Sequence, residues 1–267
     1  MRKNEKKGKN TKIALIFFLI VFFFVAVSLI LKFIQVLKNS SFDGSHSYNL
    51  AIIEEKNSWI ISFSPEAKSI SILDVRGKTG EESLNHLLNL PIDAVIKRDD
   101  LKIENSNIAS NLFKVFFSSF NLAAKPTFID IFRLALFAKS VPQSSVFEKS
   151  VNVNADDLVK QQIVSSIFLD STIVSEKKTI EIINATDTSG LGARLAALVN
   201  NIGGDIVLVV TSEKNENNSK VIYYGDDSYT VDRLSSIFDF PKVRKNGGAI
   251  ADVIIVIGND SVDSKSF

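Results

Sequence analysis

Two stretches of this chain hold residue types whose spacing suits chemistry. The first is Asn184-Ala185-Thr186-Asp187-Thr188-Ser189-Gly190, a polar turn between a strand-like run and a helix-like run. Backbone N–H groups at a helix start hold anions. Asn184, Thr186, Ser189 and Gly190 are the residues such a ligand site would use. The turn lacks both Gly-x-Gly-x-x-Gly and Gly-x-x-x-x-Gly-Lys-Ser/Thr. Capping of the helix that starts near Leu191, by Ser189 or Asp187, accounts for the same residues and is the favoured reading. The second stretch is a scatter of charge: Arg76, Lys78, Lys97 and Arg98 with Asp74, Asp93, Asp99 and Asp100. Grouped cations stabilise developing negative charge, and carboxylates hold Mg²⁺. Solvated loop charge is the simpler account.

Other chemistries are excluded by what is missing. Cysteine is absent, so there are no disulfides and no Cys-based zinc or redox sites. The two histidines, His46 and His86, lie far apart in the chain, which leaves nothing for a Ser-His-Asp or His-metal site. No catalytic residue, metal or cofactor is expected. Lys+Arg (31) and Asp+Glu (30) nearly cancel, which removes the electrostatic footprint of a nucleic-acid binder.

The positioning elements begin with residues 13–31, an uncharged run whose one hydroxyl is Ser28. As a helix it spans roughly 28 Å, close to the ~30 Å hydrocarbon core of a bilayer. A cleaved signal peptide is the rival, but its apolar region is shorter and ends in a small-x-small site. Arg2, Lys3, Lys6, Lys7, Lys9 and Lys12 precede the run, against Lys32 and Lys38 after it. The positive-inside rule places the N-terminus in the cytoplasm and the remainder outside. Residues 38–47 are small and polar and read as a flexible spacer.

Beyond the spacer, Asn49–Glu54, Ser58–Phe63 and Ser69–Val75 read as strands. Thr79-Gly80-Glu81-Glu82 fits a capping box, and Ile92–Lys97 returns to strand. Two helices rich in phenylalanine follow. Phe113, Phe116, Phe117 and Phe120 share one helical stripe, and Phe128, Ile131, Phe132, Ala135 and Leu136 another. Both stripes are expected to face a core; a greasy groove or a face on the membrane is the alternative. A third helix is expected with Asn154 as its N-cap. From Lys177 the pattern is Thr179–Ile183 strand, Leu191–Ile202 helix, Ile206–Val210 and Val221–Tyr224 strands, Tyr229–Phe238 helix, Pro241–Gly248 loop and Val253–Ile257 strand. That β-α-β-β-α-β order suggests a split βαβ sandwich that folds alone. The expected fold class is α+β, with an N-terminal transmembrane helix and an α/β middle domain.

The pieces IEIINATDTSGLGARLAALVNNIGGDIVLV, VIYYGDDSYTVDRLSSIF and ADVIIVIGND resemble the C-terminal domain of LytR-type cell-envelope proteins, over about residues 178–260. In the LytR-CpsA-Psr family a catalytic domain sits between anchor and C-terminal domain. It moves wall polymers from a polyprenyl-pyrophosphate carrier onto peptidoglycan. Where that domain has Ser-Ile-Pro-Arg-Asp, this chain reads Ser71-Ile72-Leu73-Asp74-Val75-Arg76-Gly77-Lys78. Leu90-Pro91-Ile92-Asp93-Ala94-Val95 is similar to a second family stretch, but no arginine remains near Val159-Lys160-Gln161-Gln162, where the family has a cluster. The resemblance therefore implies a diverged middle domain, a residual pyrophosphate contact at Arg76 and Lys78, and no catalysis. The resulting organisation is a basic tail (1–12), an anchor (13–31), a linker (38–47), a diverged LytR-CpsA-Psr-like domain (48–170), a LytR C-terminal-like domain (176–260) and a tail (261–267). The expected role is a single-pass envelope protein that tethers peptidoglycan or a wall polymer. A working transferase, and a structural partner in an envelope or division complex, are the alternatives.

Overall fold

The structure, a computed structural model, describes residues 5–55, 57–77, 84, 87–101, 103–104, 106–118 and 125–262, with side chains from Ala14 onward. Lys78, the Thr79–Glu82 box, His86 and Phe120 lie outside the described residues. The N-terminal helix α1 (Glu5–Asn39) is long and apolar enough from Ala14 onward to cross a membrane, and its most apolar stretch is not buried against the protein.

Two mixed sheets follow. β1 (Tyr48–Ile53), β2 (Asn57–Ser64) and β3 (Ser69–Arg76) form an antiparallel meander. Its flanks are parallel: β4 (Ala94–Lys97) on β1 and β5 (Val146–Asn152) on β3, in the order β4-β1-β2-β3-β5. The middle strands read as nearly unbroken apolar runs because both sheet faces are covered. One face packs Leu50, Ile52, Ile61, Phe63, Ile70 and Ile72 beneath α2 (Ile108–Ser118) and α3 (Phe128–Ser140). The other face carries Ala51, Ile60, Leu73 and Val75 into a second cluster.

That second cluster runs on into the C-terminal region. There β6 (Thr179–Asn184), β7 (Asp205–Thr211), β8 (Lys220–Tyr224), β9 (Lys242–Lys245) and β10 (Val253–Ile257) take the order β7-β6-β10-β8-β9. Helices α6 (Leu191–Asn201) and α7 (Tyr229–Phe238) contribute Leu195, Leu198, Val199, Val231 and Leu234 to the same cluster. So do Val164 and Ile173, from α4 (Asp157–Ile167) and α5 (Ser171–Glu176). The βαβ units are not split. β6 and β7 are hydrogen-bonded parallel neighbours, as are β8 and β9, and β10 closes the gap between the two units.

Three local expectations change. The third helix is capped by Asp156, whose carboxylate accepts from Leu158 N at 3.1 Å, and not by Asn154. β5 and β9, both edge strands, had no apolar alternation to announce them. Residues 40–42 are not a free spacer. The buried carboxylate of Asp130 accepts from Ser40 Oγ at 2.7 Å, Ser41 N at 2.9 Å and Phe42 N at 2.9 Å. Its other oxygen accepts from Thr127 N and Oγ1, which completes a capping box at the start of α3.

Linker, middle region and C-terminal region also meet at Tyr229. His46 stacks on its ring at 5.1 Å, and its hydroxyl donates to Asp170 at 2.7 Å. Burial and the Asp170 carboxylate push the Tyr229 pKa well above the usual phenol range. Nearby, Arg233 donates to both carboxylate oxygens of Asp93 at 3.2 and 3.3 Å, joining α7 to the start of β4. Burial opposes the Arg233 charge, but Asp93 outweighs it, and its pKa is raised.

Candidate functional site

Because β1, β3, β4 and β5 all run the same way, their C-terminal ends share one sheet edge. Ligands bind at such edges in parallel sheets. The charged residues of the sequence are nevertheless dispersed. Arg76 is largely exposed and its Nε donates to Asp74 on its own strand at 3.0 Å. Arg98 donates to both oxygens of Asp100 at 2.7 and 2.8 Å and to Ser118 Oγ at 2.8 Å. Lys114 pairs with the same carboxylate at 3.1 Å. The hydrogen bonds from Arg98 and then Lys114 hold the Asp100 carboxyl well below the usual carboxylate range. Three strand intervals separate β4 from β3, about 14 Å at the backbone. Asp93 lies at the opposite end of β4, on Arg233. Asp99 accepts from Glu55 N at 3.1 Å. Arg76, Arg98 and Lys114 are each turned back onto a local carboxylate, so these three do not converge on a shared phosphate cradle.

The polar turn after β6 is a self-contained knot. Asn184 and Thr186 are buried. Asn184 Nδ2 donates to the Thr188 carbonyl at 2.8 Å, and its Oδ1 accepts from Thr186 N and Oγ1. Thr186 Oγ1 accepts in turn from Thr188 N at 3.2 Å. These two side chains shape the turn and offer little to a ligand. Ser189 and Gly190 are exposed. Side-chain capping of α6 by Ser189 or Asp187 is not what the turn does: Gly190 is the N-cap, at φ +84°, with no side-chain cap bond. Asp187 accepts from Asn215 Nδ2 instead, at 2.8 Å. One turn into α6, Arg194 has its pKa lowered by burial.

The remaining motif residues of this region also serve the fold. Asp252 Oδ2 accepts from Thr179 N at 3.0 Å and Oγ1 at 2.9 Å, locking β10 to the start of β6. Asp260 accepts from Ser219 N at 2.9 Å and Oγ at 2.6 Å. A Cβ on Gly258 would lie 2.6 Å from the Asn218 carbonyl carbon, so the backbones meet there only because that residue is glycine.

Sequence reasoning missed a groove of about 500 Å³ across β3 and β5. In β3 and β5, Ser71 pairs with Phe147, and Leu73, which faces the shared core, pairs with Lys149. The groove is lined by five serines, Ser64, Ser69, Ser71, Ser166 and Ser171, together with Phe147, Glu148, Lys149, Ile167 and Leu169. Lys149 Nζ donates to Ser166 Oγ at 2.6 Å, fastening the floor to α4. Phe147 is about half exposed. An apolar platform ringed by a few polar groups is the usual composition of a binding cleft. No His/Cys/Asp/Glu group able to hold a metal occurs among the described residues. The sequence signal was the serine alternation of β3, but its partner strand lies some seventy residues on.

Fold and surface together define an α+β protein with an N-terminal helix long and apolar enough to cross a membrane and a serine-lined groove. Residues 177–260, about a third of the chain, match the model of the LytR cell envelope-related transcriptional attenuator family. No curated protein gives a significant match. Among solved structures, that of B. subtilis TagT aligns at 10% identity, over 81% of this chain and 87% of that one, with a TM-score of 0.19. A superposition that loose carries no argument about the middle region.

Proposed function

We propose that this chain is a single-pass envelope protein, N-terminus inside, whose outer regions bind a cell-wall polymer without transforming it. Its units are the linker at 38–47, a diverged LytR-CpsA-Psr-like domain at 48–170 and the LytR C-terminal-type domain at 176–260. The observation that carries the binding role is the groove with its five serines and half-exposed Phe147. Hydroxyls suit the polar rim of a glycan, and a phenyl ring suits its apolar face. The absence of catalysis is supported by Arg76 and Arg98, both bonded to carboxylates on their own stretches of chain.

The test is co-sedimentation of the detergent-solubilised chain with purified walls. Phe147→Ala should lower the bound fraction markedly with only a small loss of thermal stability, because that ring is half in water. Unchanged binding would remove the groove from the argument. Turnover of a polyprenyl-pyrophosphate-linked glycan, lost in Arg76→Ala, would instead establish the transferase alternative. A second reading places an anionic group of the polymer at Ser189 and Gly190, favoured by the α6 start that no side chain caps. Arg194→Ala would then weaken binding while Phe147→Ala would not.

A further inference from the structure

The phenylalanine helices turn only some of their rings to the core: Phe113, Phe116 and Phe137 pack half-buried against it, while Phe117 and Phe132 stay exposed and mark a second surface. In α2 the buried residues are Ile108, Leu112 and Val115. Phe116 is half-buried, and Phe117 is 78% exposed. In α3 the buried residues are Ile129, Ile131, Leu134 and Ala135, whereas Phe132 and Leu136 are exposed. Phe116 packs on Phe117, Phe128 and Phe132 at centroid distances of 5.1, 6.4 and 5.3 Å. Exposed Phe132, Leu136 and Lys139 fall at i, i+4 and i+7, one apolar stripe ending in a lysine. That is the pattern of a helix lying at a lipid interface, with the amine reaching to water.

The position of this cluster names what covers it. A cavity of about 390 Å³ is walled on one side by Phe116, Phe128, Phe132 and Arg133 and on the other by Phe33 and Leu37 of α1. Phe33 follows the end of the uncharged run at Leu31 by two residues, about 3 Å along the helix axis. The aromatic cluster therefore lies at the level where that run ends, at the boundary between acyl chains and headgroups. The junction is also held in place. Asp130 binds residues 40–42 from the start of α3, and Arg133 Nη1 donates to the Phe42 carbonyl at 2.9 Å. The α2–α3 hairpin is thus fixed to the end of the anchor with its exposed rings beside it. Lys139 at the end of α3, and Lys32 and Lys38 of the helix end, suit anionic headgroups.

We propose that the exposed face of α2 and α3 lies on the bilayer leaflet at the C-terminal end of α1, with Phe117, Phe132 and Leu136 among the upper acyl carbons. The protein then stands on the membrane in one orientation. The proposal rests on the reading of α1 as a membrane span, and the experiment separates the two.

The chain's one tryptophan is first removed as Trp59→Phe. Phe117→Trp, Phe22→Trp and Ile250→Trp are then placed singly in that background, in full-length chain reconstituted into phosphatidylethanolamine–phosphatidylglycerol vesicles with brominated acyl chains. Phe117→Trp substitutes an exposed ring by another ring and leaves the fold undisturbed. Its fluorescence should be quenched most by bromines near the headgroup, Phe22→Trp most by bromines near the bilayer centre, and Ile250→Trp by neither. Quenching at position 22 without quenching at 117 overturns the docked face and makes a protein partner the occupant. No quenching at either position overturns the membrane span, and the docked face with it. Equal quenching at 117 and 250 also overturns the proposal, because the contact would then not be specific to this face.

Discussion

Replacing Asp130 by alanine tests whether the ectodomain is fixed to its anchor. The carboxylate is fully buried and accepts five hydrogen bonds, three from residues 40–42 and two from Thr127. Alanine orphans the N–H groups of Ser41, Phe42 and Thr127. A buried donor left without a partner costs about 1–3 kcal/mol. Loss of the reciprocal capping box at Thr127 adds about 1 kcal/mol. Ser40 and Ser41 lie partly in water, which offsets some of this, so the expected loss is about 3–5 kcal/mol. Asp130→Asn retains one acceptor oxygen and should cost less. The assay is urea unfolding of the detergent-solubilised chain, followed by Trp59 fluorescence, with limited proteolysis between Asn39 and Ser47. The lower midpoint should come with new cleavage in that segment. Asp156→Ala, an exposed cap with a single bond to Leu158 N, should cost only about 1 kcal/mol. An unchanged midpoint and an uncut linker in Asp130→Ala would refute the clamp.

Three further outcomes are expected. Arg233→Ala leaves the Asp93 carboxylate largely buried without its guanidinium and should destabilise the chain by about 3–5 kcal/mol, with partial recovery in the Asp93→Asn double variant; additive losses in urea unfolding would disprove the coupling. Gly258→Ala pushes a methyl into the Asn218–Ser219 backbone and should cost about 1–3 kcal/mol, whereas Gly248→Ala, with open space around it, should be neutral by the same measurement. The Asp252 carboxyl is held below its ordinary value, first by the Thr179 N–H. Its contribution is thus fully present above the unfolded value near about 3.9 and is lost as pH falls through the folded value. The stability gap between wild type and Asp252→Asn should therefore hold from pH 7 to about pH 4 and narrow as the pH is lowered further; a gap that stays constant below about pH 4 would remove Asp252 from the acid response.

What the sequence determined alone is local or periodic. The uncharged run announced α1, and α7 and β10 begin and end at the expected residues, because apolar period and capping residues act within a few positions of one another. The LytR-type motif residues were also visible, but their use was not. Asn184, Asp252 and Gly258 lie within the resembling pieces, and only the packed sheet shows the first shaping a turn, the second tying two strands together and the third allowing a close backbone approach. The tertiary structure alone decided the rest, wherever partners are far apart in the chain. β5 is an edge strand held by backbone pairing to β3, with little apolar burial to mark it, and the groove it creates was invisible for that reason. Ser40–Phe42 looked like spacer because their acceptor, Asp130, lies some ninety residues away. The C-terminal region has a complete set of elements and looked self-sufficient, yet its helices share one apolar cluster with the first sheet. Burial is a property of the assembled chain: a helix pattern tells which face is apolar, and only packing decides what that face meets.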